Sequence, residues 1–249
     1  MKGIIKKKIF LIFYKNMLAN QFFNQLENIH DTDVLSEQYN NSVLIPHVIV
    51  DNFLPDNIFD KLCKEIDSFP EDKLISKSLQ YSGTRKESRD FSESMLIQEI
   101  MTKLTAHEFV KWMSKITGCD QIIPDVHHLG AGLSTAPSDA FLGLHVDFNW
   151  NDKLKLNRKF NLILYANKVW EDDWNGELEF WKKDRTECLY SIKPLPNRLI
   201  FWEYEQEFLH GFSKPLKCPK EIERRNLMTV YYTSNSTPVN PPHKSLFTL

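Results

Sequence analysis

Short apolar runs separated by turn residues fill the chain from Gln121 onward. Seven runs have the length of strands rather than helices: 122–129, 141–146, 160–165, 177–181, 189–192, 199–202 and 227–232. Glycine, proline and asparagine lie between them, as at Asn175-Gly176 and from Pro194 to Asn197. Short strands at this spacing are typical of an antiparallel sandwich or barrel.

The chain before Gln121 has helical periodicity instead. Residues 1 to about 40 are predicted to form a helical leader that ends in a loop rich in Asp, Asn and Ser. A helix is expected directly after Pro55, and a second from near Ser92, because apolar residues recur there at helical spacing. The polar stretch 71–90 between them predicts a long exposed loop.

The order of these elements limits the fold class. Helices come first and strands second, without the strand–helix alternation of a doubly wound parallel sheet. We therefore predict a mainly β fold with flanking helices (α+β). The 249 residues are expected to form a leader over 1–42 and one domain over 43–249.

Composition excludes several classes of partner. A net charge of -2 and a pI near 6.5 argue against binding to nucleic acid or to an anionic membrane. The apolar stretch near the N-terminus is too short for a signal peptide or a membrane span, so a cytoplasmic protein is expected. Four dispersed cysteines argue against a disulfide framework or a zinc knuckle. The sequence does not predict an oligomeric state.

His145-Val146-Asp147 ends an apolar strand that begins at Phe141. Residues two apart on a strand point to the same face, so the imidazole and the carboxylate converge as two ligands of one ion would. His210, after the later strand Leu199–Trp202 and a polar loop, could supply a third ligand. Two histidines and one carboxylate on one face of a metal form the ligand set of iron(II) oxygenases.

Arg224-Arg225-Asn226 begins the last apolar strand. Because side chains alternate along a strand, the two arginines must face opposite sides, and one must face inward. An inward guanidinium suits a carboxylate ligand, which it binds through two parallel hydrogen bonds. Arg224 shares its face with Asn226.

Taken together and in order, these segments resemble the 2-oxoglutarate- and iron(II)-dependent dioxygenases, in particular their prolyl 4-hydroxylase-like branch. Five pieces carry the resemblance: Ile49–Pro55 before the first helix, His145–Asp147, Tyr165–Trp170 with Asn175–Phe180, Pro196–Phe201, and His210-Gly211 with Arg224–Leu227. One departure is that the family's Arg-x-Ser becomes Arg224-Arg225-Asn226.

The resemblance implies a double-stranded β-helix, or jelly roll, over about residues 121–234, with the N-terminal helices packed on one sheet. It implies that His145, Asp147 and His210 bind Fe(II), and that Arg224 and Tyr165 bind the 5-carboxylate of 2-oxoglutarate. Dioxygen would be the oxidant and ascorbate an accessory reductant. The expected reaction is hydroxylation of an unactivated C–H bond, in a prolyl or similar residue or in a small molecule, with release of succinate and CO2.

Two other interpretations of the residues stay open at this point. One is a non-catalytic jelly roll that binds a sugar or another ligand. The other is a cupin-type metalloenzyme, although His127-His128 lack the spacing of cupin ligands. The residues of the polar loops do not indicate a particular substrate.

Overall fold

A computed structural model describes residues 21–42, 44–79, 82–234 and 237–247. Within this part of the chain, strands outweigh helices and every strand pair is antiparallel. The strands are β1 His47–Val50, β2 Ile75–Leu79, β3 Ser82–Ser88, β4 Ile123–Pro124, β5 Gly132–Ala136, β6 Leu142–Val146, β7 Trp150–Asn151, β8 Leu156–Tyr165, β9 Leu178–Lys182, β10 Cys188–Ile192, β11 Leu199–Glu203, β12 Phe208–Phe212, β13 Arg224–Thr233 and β14 Leu246–Phe247.

The helices lie in the first half, as predicted. They are α1 Leu26–Ile29, α2 Thr32–Asn41, α3 Asp56–Asp67, α4 Met95–Leu104 and α5 His107–Thr117, with a 3-10 turn at Glu71–Lys73. The helix expected after Pro55 is α3. The helix expected from Ser92 is instead two helices, and its capping residue is Ser94, whose hydroxyl accepts a hydrogen bond from the Ile97 amide at 3.1 Å.

The sheet path is β1-β11-β8-β13-β5-β3-β6-β12-β9-β10. Strand β3 joins the two halves of this path, because on the edge opposite β2 it pairs with β6 at Ser82 and with β5 at Lys86–Ser88. Residues of β8, β13 and β5 line the same cavity as residues of β6 and β12, so the two halves face one another. This arrangement confirms the predicted α+β jelly roll.

Strand β8 shows how the sheet separates the core from the cavity. Phe160, Leu162 and Leu164 belong to the large core that contains helices α3, α4 and α5. Asn161 and Ile163, on the other face, line the cavity. The alternation follows from the two-residue period of a strand. The helices thus stabilise one face of the sheet and leave the other for a site.

Three local predictions were wrong. The expected loop over 71–90 contains the hairpin β2–β3, which joins the main sheet. The Asp- and Asn-rich end of the leader is α2, capped by the carboxylate of Asp31. The run 122–129 forms only the two-residue strand β4, whereas His210 follows β11 and a polar loop as predicted and lies inside strand β12. The first 20 residues of the predicted leader lie outside the described residues.

None of the helices in the described part of the chain is both long enough and apolar enough to cross a membrane.

Candidate active site

Strands β6 and β12 bring together the three residues of the predicted metal site. His145 and His210 are directly opposite each other in the antiparallel pair, with ring centroids 4.4 Å apart. Asp147 follows β6, and its carboxylate oxygens lie 3.5 Å from His145 Nε2 and 3.1 Å from His210 Nε2. One potential ligand atom from each residue lies within 4.8 Å of the others.

The backbone of β6 orients the ring of His145. Its Nδ1 lies 2.9 Å from the carbonyl oxygen of Gly143, which can only accept a hydrogen bond. Nδ1 therefore carries the proton, and the lone pair of Nε2 is free to face Asp147. A histidine that donates its second ring N–H to a carbonyl is the usual arrangement at a metal site.

Arg158 holds the carboxylate of Asp147. Its Nη2 donates to Asp147 Oδ2 at 2.8 Å, and its side chain is almost fully buried. Burial alone would raise the pKa of Asp147, but the positive charge of Arg158 and the contact with His210 hold that pKa well below its ordinary value. Burial lowers the pKa of His210, against the charge of Asp147. The site therefore presents an anionic carboxylate beside a neutral imidazole.

Arg158 was not predictable from the residue pattern, because its position depends on a bulge. Arg158 and Asn161 differ by an odd number of residues, so a regular strand would place them on opposite faces. The register of β8 against β13 shifts between Tyr231 and Tyr232, next to Arg158. Arg158 Nε consequently donates to Asn161 Oδ1 at 2.5 Å. An irregularity of this kind has no signal in the residue pattern.

The donor set fits iron(II). Two imidazole nitrogens and one carboxylate oxygen converge at the edge of a cavity of about 300 Å3. A carboxylate has two oxygens, so Asp147 can accept from Arg158 through one oxygen and still offer the other to a metal. Two histidines and a carboxylate on one side, with open positions on the other, match non-haem iron(II) sites.

The same cavity extends to Arg224 and Asn226 of β13 and Ser134 of β5. Arg224 is 4% exposed. Its Nε donates to Gly176 O at 2.8 Å and its Nη2 to the hydroxyl of Tyr165 at 2.9 Å. Its guanidinium also lies 4.4 Å from the ring centroid of Phe212. The side chain is thus fixed, with donors left over for a ligand.

No carboxylate of the described residues forms an ion pair with Arg224. Burial lowers the pKa of Arg224, which reflects the cost of a desolvated charge. Arg225 points to the opposite side of β13, where it pairs with Asp67 at 2.5 Å and with Glu223 at 3.3 Å.

Tyr165 lies on β8 directly behind Arg224, and its side chain is fully buried. The hydroxyl accepts from Arg224, and the tyrosine is not among the residues that line the cavity. The hairpin strand β3, in contrast, contributes Arg85 and Glu87 to the cavity wall. These two pair with each other at 2.9 Å. Because a loop was predicted over 71–90, Arg85 and Glu87 were not predicted to line the site.

The comparisons with known proteins agree with this geometry. Residues 131–233 match the family model of the 2OG-Fe(II) oxygenase superfamily. A comparison with curated protein sequences gives no significant match.

Solved structures with the same fold include three hydroxylases. A prolyl hydroxylase from Trichoplax adhaerens, in complex with a hypoxia inducible factor peptide fragment, has a TM-score of 0.61 and 16% identity over 83% of this chain and 92% of its own. A prolyl-4-hydroxylase from Pseudomonas putida has a TM-score of 0.59 and 16% identity over 81% of this chain and 100% of its own. The viral collagen prolyl hydroxylase of Paramecium Bursaria Chlorella virus-1 has a TM-score of 0.50 and 20% identity over 76% of this chain and 96% of its own. At these identities the likeness establishes the fold.

A jelly roll with two histidines and a carboxylate at the mouth of a buried cavity defines an iron-dependent oxygenase as the class of protein. The family match makes the assignment more specific: the chain matches the model of the 2OG-Fe(II) oxygenase superfamily over residues 131–233. It is a 2-oxoglutarate-dependent dioxygenase, and its cofactors are Fe(II), 2-oxoglutarate and dioxygen. The binding-module and cupin interpretations are therefore set aside.

Proposed function

We propose that His145, Asp147 and His210 bind the iron, and that Arg224, supported by Tyr165, binds the 5-carboxylate of 2-oxoglutarate. The enzyme then hydroxylates an unactivated C–H bond in a polypeptide side chain, with a prolyl residue as the first candidate. Residues 43–249 act as the single oxygenase domain in this proposal.

One observation carries the cosubstrate assignment: Arg224 is a buried cation without an anionic partner among the described residues. A desolvated charge is costly unless it is paired, so the fold is expected to accept an anion at this position. The anion must enter the cavity that also contains the metal site. A dicarboxylate that chelates a metal through one end and reaches Arg224 through the other satisfies both requirements.

The residues of the chain prepare the site for this reaction. His145 is held in the tautomer that presents Nε2, and Arg158 keeps Asp147 ionised. When bound, the iron would supply activation of dioxygen coupled to oxidative decarboxylation of 2-oxoglutarate. Leu178, Trp202 and Phe212 give the cavity apolar walls, which exclude water from the reacting groups.

The structural neighbours favour a polypeptide substrate. All three are prolyl hydroxylases, and one was determined with a peptide fragment bound. Incubation of the iron-loaded enzyme with libraries of peptides and with free amino acids, followed by mass spectrometry for a gain of one oxygen, would test this. Oxygen gain in free amino acids alone would overturn the polypeptide assignment.

The cosubstrate assignment can be tested with a matched pair of variants. Arg224→Ala should weaken 2-oxoglutarate binding by about 2–5 kcal/mol, the loss when a buried charged pair is deprived of one partner. That corresponds to roughly 30-fold or more in Kd. Arg225→Ala should have little effect, because its partners are Asp67 and Glu223 on the outer side. The measurement is a titration of 2-oxoglutarate into the Mn(II)-loaded protein under nitrogen. Equal losses in both variants would contradict the assignment.

A further inference from the structure

The last described residues, 237–247, run back from β13 towards the metal site, and we call them the C-terminal strap. The strap ends in β14, whose Leu246 and Phe247 pair with Val146 and His145 of β6. The ring of Phe247 stacks on the ring of His145, with centroids 4.7 Å apart and planes at 22°. Ser245 and Phe247 line the cavity. The strap therefore covers the side of the cavity that contains His145.

Two buried asparagines hold the backbone of the strap. Asn149 donates from Nδ2 to Pro241 O at 3.0 Å and accepts at Oδ1 from the His243 amide at 2.9 Å. Asn157 donates to Thr237 O at 3.3 Å and accepts from the Val239 amide at 2.8 Å. Each carboxamide thus uses both its donor and its acceptor on main-chain groups.

The two asparagines bind the main chain of the strap and not its side chains. A carboxamide that faces a carbonyl and an amide mimics a neighbouring strand, and pairing with β6 is strand addition itself. The side-chain contacts of the strap include the stacking of Phe247 on His145 and one hydrogen bond between Tyr204 and His243, at 3.3 Å. Another extended polypeptide could therefore form the same backbone bonds.

The strap is bound at the surface and contributes nothing to the core. No described strap residue is buried, and Val239 is 68% exposed. Its three prolines, Pro238, Pro241 and Pro242, lack an amide hydrogen and cannot extend a ladder. Its only strand within the described residues is two residues long. Few interactions must break to release it.

We propose that the C-terminal strap lies in the groove that receives the substrate polypeptide, and that it competes with the substrate in cis. The groove consists of Asn149, Asn157 and the edge of β6 at His145 and Val146, which β14 occupies. The proposal rests on the proposed function, since it requires a polypeptide substrate. The other possible role for the strap is a fixed wall of the cavity, and the experiment below separates the two.

The first arm of the experiment keeps the full chain during folding. A protease site is inserted after Ser234, and the folded, Mn(II)-loaded protein is cut and passed over a sizing column. The uncut protein is the matched control. The strap should leave the cut protein. A fluorescein-labelled peptide with the sequence of residues 237–249 should then bind to the cut protein at least tenfold more tightly than to the uncut one.

The second arm tests how the groove recognises its ligand. An unlabelled repeat of Pro-Ala-Thr, which shares no side-chain pattern with the strap, should displace the labelled peptide. Asn149→Ala and Asn157→Ala should each weaken peptide binding about tenfold, because each removes at least two hydrogen bonds to the backbone. Asn151→Ala is the matched control, since this buried asparagine bonds to the Tyr232 hydroxyl and the Leu154 amide instead of the strap.

A strap that stays bound after cutting, or a labelled peptide that only its own sequence displaces, would overturn the inference in favour of a fixed wall. Both outcomes are independent of the asparagine variants and of their folding. In the iron-loaded cut enzyme, added strap peptide should raise the apparent KM for a hydroxylated library peptide without changing kcat. Absence of hydroxylation in every library would count against the proposed function, while the binding arms would still decide the role of the strap.

Discussion

Asp147 has contacts on both sides of its carboxylate. His145 and His210 approach it from the two strands, and Arg158 donates to Oδ2 from β8. The charge of Arg158 keeps the carboxylate ionised despite its burial. The cost of burying Arg158 is offset by three contacts, namely Asp147, Asn161 and the ring of Phe148 at 4.5 Å. At the scale of the residue, Arg158 is therefore a positioning group for the predicted metal ligand.

Replacement of Arg158 should weaken metal binding more than it weakens the fold. Arg158→Ala removes the group that orients Asp147, and loss of such a partner typically costs 10- to 100-fold in metal affinity. Arg198→Ala is the control, because this arginine pairs with Asp51 on the outer edge of the sheet. Competition of the Fe(II)-loaded protein with a chelator gives the affinities. Equal affinity in the two variants would remove Arg158 from the metal site.

At the scale of the element, the apolar strands were predictable and the polar ones were not. The runs at 160–165 and 199–202 lie within β8 and β11, which have a helical core on one face. Strand β3 carries the charged residues Arg85 and Glu87 towards the cavity, so it lacks the apolar alternation that identifies a half-buried strand. Its neighbours in the sheet are β5 and β6, and that long-range pairing is absent from the local sequence.

The residues of the candidate site also divide into those that the sequence predicted and those that it did not. His145, Asp147, His210 and Arg224 were predicted as site residues from their order along the chain and from the family resemblance. The contribution of Arg158 depends on a bulge, and that of Asn149 and Asn157 on a segment about 90 residues away that returns across them. Such contacts are set by tertiary structure, which local patterns do not contain.

Close packing of β6 against β12 sets the separation of the two histidines. A Cβ at Gly211 would lie 2.6 Å from the carbonyl oxygen of Leu142 and 2.9 Å from that of Gly143. Both atoms belong to the backbone, so Gly211→Ala must push the strands apart. We expect a loss of about 1–3 kcal/mol in the free energy of unfolding, as for other overpacked sites, together with weaker metal binding.

A buried leucine on the same strand provides the control for this prediction. Leu209→Ala leaves a cavity and should cost about 2–5 kcal/mol of stability, yet it does not alter the strand separation. Metal affinity, measured well below the melting temperature, should fall in Gly211→Ala and stay near that of the parent in Leu209→Ala. If metal affinity fell equally in both variants, the loss would reflect general destabilisation and not the separation of the strands.

At the scale of the whole molecule, the main sheet separates stability from chemistry. One face packs on the helices, including the described part of the N-terminal segment through Phe23, Leu26 and Leu35. The other face carries the cavity with the candidate metal site and Arg224. The resemblance at sequence level covered mainly the second face, because the residues predicted to bind cofactors form motifs. The sequence of the large helical core shows only the apolar periodicity of helices, which does not identify a family.

Neighbouring residues of β8 allow a direct test of this separation. Leu164 is buried among the helices and Tyr165 contacts Arg224, although they are adjacent in the chain. Leu164→Ala should lower the free energy of unfolding by about 2–5 kcal/mol, the range for a buried leucine, and leave 2-oxoglutarate affinity close to that of the parent. Tyr165→Phe should cost only about 1 kcal/mol of stability. It should nevertheless weaken 2-oxoglutarate binding about tenfold, because Arg224 loses the acceptor that fixes its guanidinium. Urea denaturation and titration of 2-oxoglutarate into the Mn(II)-loaded protein provide the two measurements. If the leucine variant lost affinity and the tyrosine variant lost stability, the two faces of the sheet would have been assigned the wrong way round.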